Sequence, residues 1–240
     1  MSVVFNQKGR CDICEQDVSF IARHEWFRDH LLCSNCGSIP RERALMRVIK
    51  QSYPHFANLR IHESSPAKRG VSVRLDRTCS DYSISQYFPQ VALGQNDPAT
   101  GHRCENLEAL TFADNTFDIF VTQDVMEHVF NPEAAFKEIA RVLRPGGAHI
   151  FTVPLVSKWS PTSLRASLGP DGQVIHHMEP QYHGNPIDDA GSLMTINWGY
   201  DIAAFITEKA KTPTIIMQID DIESGIRAEF IEVVVSRKPR

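Results

Sequence analysis

The sequence predicts an α/β protein in which a small cysteine module precedes a mostly parallel sheet. Two C-x-x-C pairs stand near the amino terminus, and from Asn58 onward short apolar runs alternate with helical segments. Apolar strands that alternate with helices are typical of a parallel sheet with right-handed crossovers, because such strands are buried on both faces. We therefore expect a zinc ribbon at 1–37, a connecting helix at 38–57 and an α/β domain at 58–240.

Length and charge limit the function classes. A chain of 240 residues can form one large domain, or a medium domain with a small module. It has 29 acidic against 25 basic residues, so no broad basic face for nucleic acid is expected, although a small basic patch remains possible. No stretch approaches the roughly 20 apolar residues needed to span a bilayer, and no apolar secretion signal is present. These features predict a cytoplasmic protein without a membrane partner.

The four clustered cysteines indicate a metal site. Cys11 and Cys14 are separated by 18 residues from Cys33 and Cys36. Each C-x-x-C places two sulfurs on one turn, and two such turns complete the tetrahedron of a structural zinc ion. Two disulfides or two redox motifs are the alternatives, but a redox site needs only one pair. Because a ribbon this small lacks a core of its own, metal binding should contribute to its folding.

A helix follows the cysteines. In "GSIPRERALMRVIKQSY", Ser38 is the expected N-cap and Pro40 lies in the first turn. Arg41, Arg43 and Arg47 lie on its early turns, and we favour a solvated face over an anion-binding role for them.

The α/β segment divides into recognisable elements. Asn131 caps a helix with an apolar stripe, Pro132 takes its first position, and "RPGG" ends it. Near the carboxyl terminus, "TIIMQID" and "FIEVVVS" predict an antiparallel pair at the sheet edge. The three expected buried strands are "LRIHE" (59–63), "FDIFVTQD" (117–124) and "AHIFTVP" (148–154). Ligands of parallel sheets bind beyond the carboxyl ends of the strands, so the following turns are the candidate site.

One long run resembles a known family. The segment "ENLEALTFADNTFDIFVTQDVMEHVFNPEAAFKEIARVLRPGGAHIFTVP" (105–154) resembles the central half of class I S-adenosylmethionine-dependent methyltransferases of the type 11 kind. The likeness is specific in "LTFADNTFD", "DVMEHV", "LRPGG" and "HIFTVP", and "CSNCGSIPRERAL" is similar to the ribbon and helix of some bacterial relatives. The resemblance implies a Rossmann-like methyltransferase sheet, S-adenosylmethionine as cofactor and an acceptor lid at about 155–200.

The resemblance also implies residues for the methionine end of the cofactor. The family usually has an acidic residue followed by Gly-x-Gly after the first strand, whereas this chain has Glu63-Ser64-Ser65-Pro66. By analogy, Glu63 would bind the cofactor's amino group, and the hydroxyls of Ser64 and Ser65 would bind its carboxylate. Gln123 and Asp124, at the end of the fourth strand, are further candidate cofactor-binding residues.

The nucleoside end has its own implied residues. The second strand should end in an acid for the ribose hydroxyls, and Asp81, 18 residues past Glu63, fits better than Asp76. Asn106 would meet the adenine amino group and Leu107 would offer its backbone N–H, with Glu105 adjacent. Alternatively, the acids are turn or capping residues and Asn106 shapes its own loop.

Histidines supply the candidate catalytic groups. The cofactor supplies the reactive carbon, so a base is needed only if the acceptor must lose a proton. The lid segment "VIHHMEPQYHGNPID" (174–188) offers His183, our first choice, and His177. His128 in "DVMEHV" is a further candidate, for which we favour a structural role. A solvated loop and a second metal site are the alternatives, and metal is least favoured because the spacing differs from H-E-x-x-H.

The sequence thus predicts a methyltransferase acting on an oxygen or nitrogen of a small-molecule or sugar acceptor. An RNA methyltransferase is the second hypothesis, and it requires one exposed basic face made by Arg10, Arg23, Arg28, Arg41 and Arg43. A non-catalytic binding protein that keeps the methyltransferase fold is the third. No oligomeric state is predicted.

Overall fold

The structure is a computed structural model that describes residues 2–185 and 190–240. Its strands are β1 (Phe5–Arg10), β2 (Asp17–Ala22), β3 (Leu32–Cys33), β4 (Arg60–Ser64), β5 (Asp81–Gln86), β6 (Arg103–Cys104), β7 (Phe117–Gln123), β8 (Leu143–Thr152), β9 (Ser163–Leu164), β10 (Ala166–Leu168), β11 (Val174–His176), β12 (Tyr182–His183), β13 (Ser192–Leu193), β14 (Ile196–Asn197), β15 (Thr214–Met217) and β16 (Val233–Arg237). Its helices are α1 (Phe27–His30), α2 (Pro40–Ser52), α3 (Gly70–Thr78), α4 (Pro132–Val142) and α5 (Ile202–Ala210), with single 3₁₀ turns at Phe56–Asn58 and Ile222–Ser224.

The main sheet has seven strands in the order β15-β16-β8-β7-β4-β5-β6. Strands β4 to β8 run parallel, whereas β16 is antiparallel to both β8 and β15. The predicted α/β class and the antiparallel edge pair are therefore confirmed. The strand order reverses between β4 and β7, and such a switch point opens a crevice at the carboxyl ends of the strands.

Local sequence explains the helix that links β7 to β8. The Asn131 side chain accepts a hydrogen bond from the N–H of Ala134 at 3.1 Å, as an N-cap does, and Pro132 takes the first position. Helix α2 starts differently from the expectation. Ile39 takes the N-cap position, and the Glu42 carboxylate accepts a hydrogen bond from the Ile39 N–H at 3.0 Å.

The ribbon and the seven-stranded sheet share one hydrophobic core. Phe20 and Leu31 of the ribbon are fully buried in the same cluster as Leu45 of α2 and Val121 of β7. A segment near the carboxyl terminus covers these residues. Its Gly225 packs so closely on Phe20 that an added Cβ would lie 2.5 Å from the ring. The ribbon is therefore stabilised by the rest of the chain as well as by its own contacts.

The arginines of α2 are not on a solvated face, so that expectation is wrong. Arg43 is fully buried and its Nη2 donates to the carbonyl oxygens of Leu31 and Gly225 at 2.8 and 2.7 Å. Arg47 forms ion pairs with Asp12 and Asp221 at 2.8 and 2.7 Å. Backbone carbonyls and carboxylates thus compensate these charges and bind α2 to both ends of the chain.

Between β8 and α5 the chain forms three small antiparallel ladders, β9–β14, β10–β11 and β12–β13. We call this segment the lid; it lies within the span of about 155–200 predicted from the sequence. Across 2–185 and 190–240, no helix is both long enough and apolar enough to cross a membrane. The domain boundaries at 37 and 57 remain predictions.

Candidate active site

A cavity of about 1360 Å³ opens at the carboxyl ends of β4, β5 and β7. Its floor comes from the turns that follow these strands, one wall from the ribbon and α2, and the opposite wall from the lid. A typical small-molecule pocket has about 300–1,000 Å³, so this cavity has room for two ligands side by side.

The loop after β4 replaces the expected glycine with serine. Ser64, Ser65 and Pro66 line the cavity. Ser65 has φ 56°, in the left-handed region that glycine usually occupies, and its N–H donates to the Ser85 carbonyl at 2.8 Å. This conformation costs a non-glycine residue roughly 1–2 kcal/mol, which the surrounding structure compensates. A turn with the left-handed conformation that glycine usually adopts is thus present here without glycine.

Glu63 lies behind this loop and does not line the cavity. Its carboxylate is fully buried and accepts hydrogen bonds from Ser72 Oγ at 2.7 Å, Tyr82 OH at 2.6 Å and Gln123 Nε2 at 2.7 Å. Burial raises the pKa of Glu63, and these three donors oppose that rise. The expected contact with the cofactor's amino group is therefore not supported. Glu63 instead holds together the elements that shape the loop, while Gln123 lines the cavity.

Asp81 is at the wrong end of its strand for the role expected of it. It is the first residue of β5, is half exposed, and pairs with Arg60 at 2.7 Å. The carboxyl end of β5 is Gln86, which lines the cavity. An amide can bind a ribose hydroxyl as donor or acceptor, so Gln86 takes the position that the prediction gave to Asp81.

The residues expected at the adenine all line the cavity, but their polar groups are engaged locally. The Glu105 carboxylate is buried and accepts from the N–H and Oγ1 of Thr111 at 2.8 and 2.5 Å. Asn106 Oδ1 accepts from the Glu108 N–H at 2.9 Å, which shapes its own loop. Leu107 presents an apolar side chain to the wall.

Asp124 connects the end of β7 with the ribbon. It has φ 53°, and its Oδ2 lies 2.7 Å from Arg28 Nη2 and 3.0 Å from Arg41 Nε. Burial opposes ionisation of Asp124, but the charges of Arg41 and Arg28 hold its pKa at about 2. All three residues line the cavity, as does Trp26 of the ribbon. The sequence analysis missed this link, because no local pattern joins residue 28 to residue 124.

Two of the three candidate histidines meet at the lid side. His128 and His183 line the cavity, and their ring centroids are 5.6 Å apart. Between them lies Glu127, which is fully buried and belongs to the same "DVMEHV" segment as His128. His177 is exposed, its Nε2 is 2.9 Å from Ser167 Oγ, and it is not among the cavity residues. Its proposed catalytic role is therefore not supported.

The four ribbon cysteines converge without forming disulfides. Cys11 Sγ is 3.8 Å from Cys36 Sγ, Cys14 Sγ is 3.9 Å from Cys33 Sγ, and all four thiols are free. Four sulfurs at 2.3 Å from one zinc ion lie about 3.8 Å apart, so the spacing fits a tetrahedral site. The hydroxyl of Ser38, 3.2 Å from Cys36 Sγ, supports the cluster and does not cap α2.

The strand order and the cavity at the switch point are those of a Rossmann-like methyltransferase fold, as the resemblance seen in the sequence implies. Residues 73–151 match the family model described as "Methyltransferase domain". Residues 73–151 therefore form part of a methyltransferase domain.

Curated relatives agree over part of the chain. The chain is 50% identical over 114 residues to the ubiquinone/menaquinone biosynthesis C-methyltransferase UbiE of Hydrogenovibrio crunogenus, covering 42% of this chain and 45% of that protein. It is 48% identical over 46 residues to the ubiquinone biosynthesis O-methyltransferase of Parvibaculum lavamentivorans, covering 19% and 18%. The chain thus spans less than half the length of these relatives.

A solved structure agrees over most of the fold. The S-adenosylmethionine dependent methyltransferase from Mesorhizobium loti superposes with a TM-score of 0.52 at 13% identity, covering 81% of this chain and 98% of that one. At this identity the similarity concerns the fold alone.

Proposed function

We propose that the protein transfers a methyl group from S-adenosylmethionine to an oxygen or nitrogen of a small-molecule or sugar acceptor. The observation that supports this best is the cavity itself, which lies at the switch point of a methyltransferase sheet and has room for both a cofactor and an acceptor. The cofactor would supply an electrophilic methyl group, and the protein would align the acceptor and exclude water.

The cofactor half is assigned to the turns after β4, β5 and β7. Ser64 and Ser65 would bind the methionine carboxylate, Gln86 the ribose hydroxyls and Gln123 the methionine end. Asn106 and Leu107 would border the adenine, where the Asn106 carbonyl oxygen retains a second lone pair.

The acceptor half is assigned to the space between ribbon and lid. Trp26 and Tyr182 present partly exposed rings there, and aromatic faces suit a planar ring or a sugar. The family match ends at residue 151, before the lid, so it does not indicate which atom of the acceptor receives the methyl group. The two named relatives methylate carbon in one case and oxygen in the other.

A small acceptor is favoured over RNA. Arg28 and Arg41 are paired with Asp124 and Asp29, and Arg43 is buried, so three of the five arginines needed for a basic face are otherwise engaged. The formal net charge of −4 also disfavours a polyanion.

We assign a structural zinc ion to Cys11, Cys14, Cys33 and Cys36. Their sulfur spacing supports it, and four thiolates leave no open coordination position for chemistry. Free cysteines also fit a reducing compartment, which supports the proposed cytoplasmic location.

Calorimetric titration of zinc-loaded protein with S-adenosylmethionine and S-adenosylhomocysteine tests the proposal. We expect micromolar binding of both. Ser65→Asp adds a negative charge beside the proposed methionine carboxylate and should weaken binding at least tenfold. Ser65→Asn is the matched control, since Asn tolerates the same left-handed conformation without the charge. Folded wild-type protein that binds neither ligand would refute the enzyme proposal and favour a non-catalytic scaffold.

A further inference from the structure

Glu127 is a buried carboxylate that has no hydrogen-bonding partner among the described residues. Its side chain is 0% exposed, and in the part of the chain that the structure describes neither Oε1 nor Oε2 has a hydrogen bond. A buried ionised carboxylate without a partner is strongly unfavourable. The groups facing it are His128 Nε2 and His183 Nδ1, each 3.8 Å from Oε1.

The orientation of His128 is set by the lid. Its Nδ1 lies 2.8 Å from the carbonyl oxygen of Leu193, so Nδ1 carries the proton and donates it. In the neutral imidazole the lone pair is then on Nε2, which faces Glu127. A lone pair and a carboxylate repel each other unless a cation lies between them. A second group that fixes the tautomer of a histidine in this way is typical of metal ligands.

The backbone holds Glu127 in the same place. Its carbonyl oxygen accepts from the N–H of Thr195 at 2.8 Å and from Thr195 Oγ1 at 3.0 Å. Glu127 and His128 are thus fixed against one lid segment, while His183 comes from another, β12. Contacts with described residues of the lid therefore hold the three side chains together.

We propose that Glu127, His128 and His183 bind one divalent first-row transition-metal ion. One ligand atom from each lies within 4.8 Å of the other two. Two imidazoles and a carboxylate are a set that suits zinc, manganese or iron(II). Ligands about 2.1 Å from such an ion lie about 3.0–3.4 Å apart, so the separations of 3.8 Å require a small contraction. A bridging proton alone would draw N and O to about 2.8 Å.

The position of the cluster indicates an acceptor that coordinates metal, an inference that rests on the proposed methyltransferase function. His128 and His183 line the cavity, so the open coordination positions face the acceptor half. A metal-bound hydroxyl loses its proton more readily, here to solvent water. The oxygen then forms the bond to the methyl carbon, and the C–S bond breaks with its electron pair on sulfur, which leaves S-adenosylhomocysteine. The acceptor class is therefore an alcohol or phenol.

Metal counting tests the site without any activity assay. Zinc-loaded full-length protein would be dialysed to equilibrium against Mn²⁺, Co²⁺ or Zn²⁺, and bound metal counted by plasma mass spectrometry. We expect two ions per chain in the wild type, and one in Glu127→Gln and in His183→Ala. His177→Ala is the matched control, because it removes an exposed lid histidine away from the cavity and should keep both ions. Co²⁺ spectra separate the sites, since only thiolate ligands give charge-transfer absorption.

One ion per chain in the folded wild type with all three metals would overturn the inference, as would a second ion that persists in both cluster variants. Thermal melts confirm that the variants are folded. If Glu127→Gln unfolds, His183→Ala still tests the site, because the His183 side chain is 35% exposed. Calorimetry with S-adenosylmethionine separates the two proposals. Cofactor binding with one ion refutes the metal site alone, and two ions without cofactor binding refute the methyltransferase function alone.

Discussion

Arg28 Nη2 of the ribbon lies 2.7 Å from Asp124 Oδ2, at the carboxyl end of the central strand β7. The same guanidinium donates through Nε to the carbonyl oxygen of Phe230 at 3.0 Å. One side chain thus joins the ribbon, the floor of the cavity and a segment close to the carboxyl terminus. The position of the ribbon is therefore coupled to the shape of the cavity.

Asp124→Asn should lower stability in a pH-dependent way. Asn keeps the shape and tolerates the left-handed backbone, but it removes the charge that faces Arg28 and Arg41. The pKa of Asp124 is about 2 in the folded protein, below its ordinary 3.8, so its stabilisation is present above pH 4 and is lost as the pH falls through about 2. We expect a loss of about 2 kcal/mol at pH 7 and about half of that at pH 3.

Urea unfolding of the wild type and Asp124→Asn at both pH values measures this effect. A difference in unfolding free energy that is the same at pH 7 and pH 3 would show that the Asp124 charge is not its source.

Removing zinc should loosen more than the ribbon. Phe20 and Leu31 belong to the shared core, so loss of the metal should expose apolar surface and free Arg28 from Asp124. After chelation, hydrogen exchange should rise across 5–33 and across the covering segment 225–230, with a lower melting temperature. Cys14→Ser should behave like the chelated protein. Cys79→Ser changes a cysteine outside the cluster and should keep the exchange of the wild type. Hydrogen exchange that rises in the ribbon alone after chelation would contradict the coupling.

Glu63 should matter for the cofactor loop through its hydrogen bonds and not through its charge. Glu63→Ala leaves Ser72, Tyr82 and Gln123 with buried unpaired donors, and we expect a loss of about 3 kcal/mol with weakened cofactor binding. Glu63→Gln keeps the volume and an acceptor oxygen, so it should keep most of the affinity.

The pH dependence of the unfolding free energy distinguishes a role of the Glu63 hydrogen bonds from a role of its charge. Burial raises its pKa in the folded protein, so the wild type loses stability as the pH rises through that pKa. The stability of Glu63→Gln relative to the wild type should therefore increase from pH 4 to pH 7 in urea titrations. A decrease over that range would show that the charged carboxylate is required.

Gln86, and not Asp81, should affect cofactor affinity. Gln86→Ala removes a hydrogen-bonding group at the cavity and should weaken S-adenosylhomocysteine binding about tenfold. Asp81 lies five residues earlier in β5, roughly 16 Å away along the strand, so Asp81→Asn should bind like the wild type. Calorimetry on both variants is the measurement. Weakened binding in Asp81→Asn alone would restore the original assignment.

Elements with strong local patterns could be predicted from the sequence, as the Asn131 cap, the apolar strands and the cysteine spacing show. The start of β5 could not be predicted, because "DYSISQ" alternates only weakly between polar and apolar residues. Its single acid, Asp81, could equally stand at the beginning or at the end of a strand. The direction of the Glu63 side chain depends on Tyr82 and Gln123, which come from other strands. The approach of His183 to Glu127 depends on how the lid closes, which no local pattern encodes.

The two sides of the proposed acceptor space come from segments that lie outside the family match at 73–151, one before it and one after it. The shared stretch can therefore be inherited almost unchanged while the choice of acceptor diverges. Proteins that resemble this one in the ribbon and in the lid, even with weaker similarity in between, are the better guides to its natural acceptor. A chimera that exchanges both the ribbon and the lid should change the acceptor. Exchange of only one of them should leave the two sides of the proposed acceptor space mismatched.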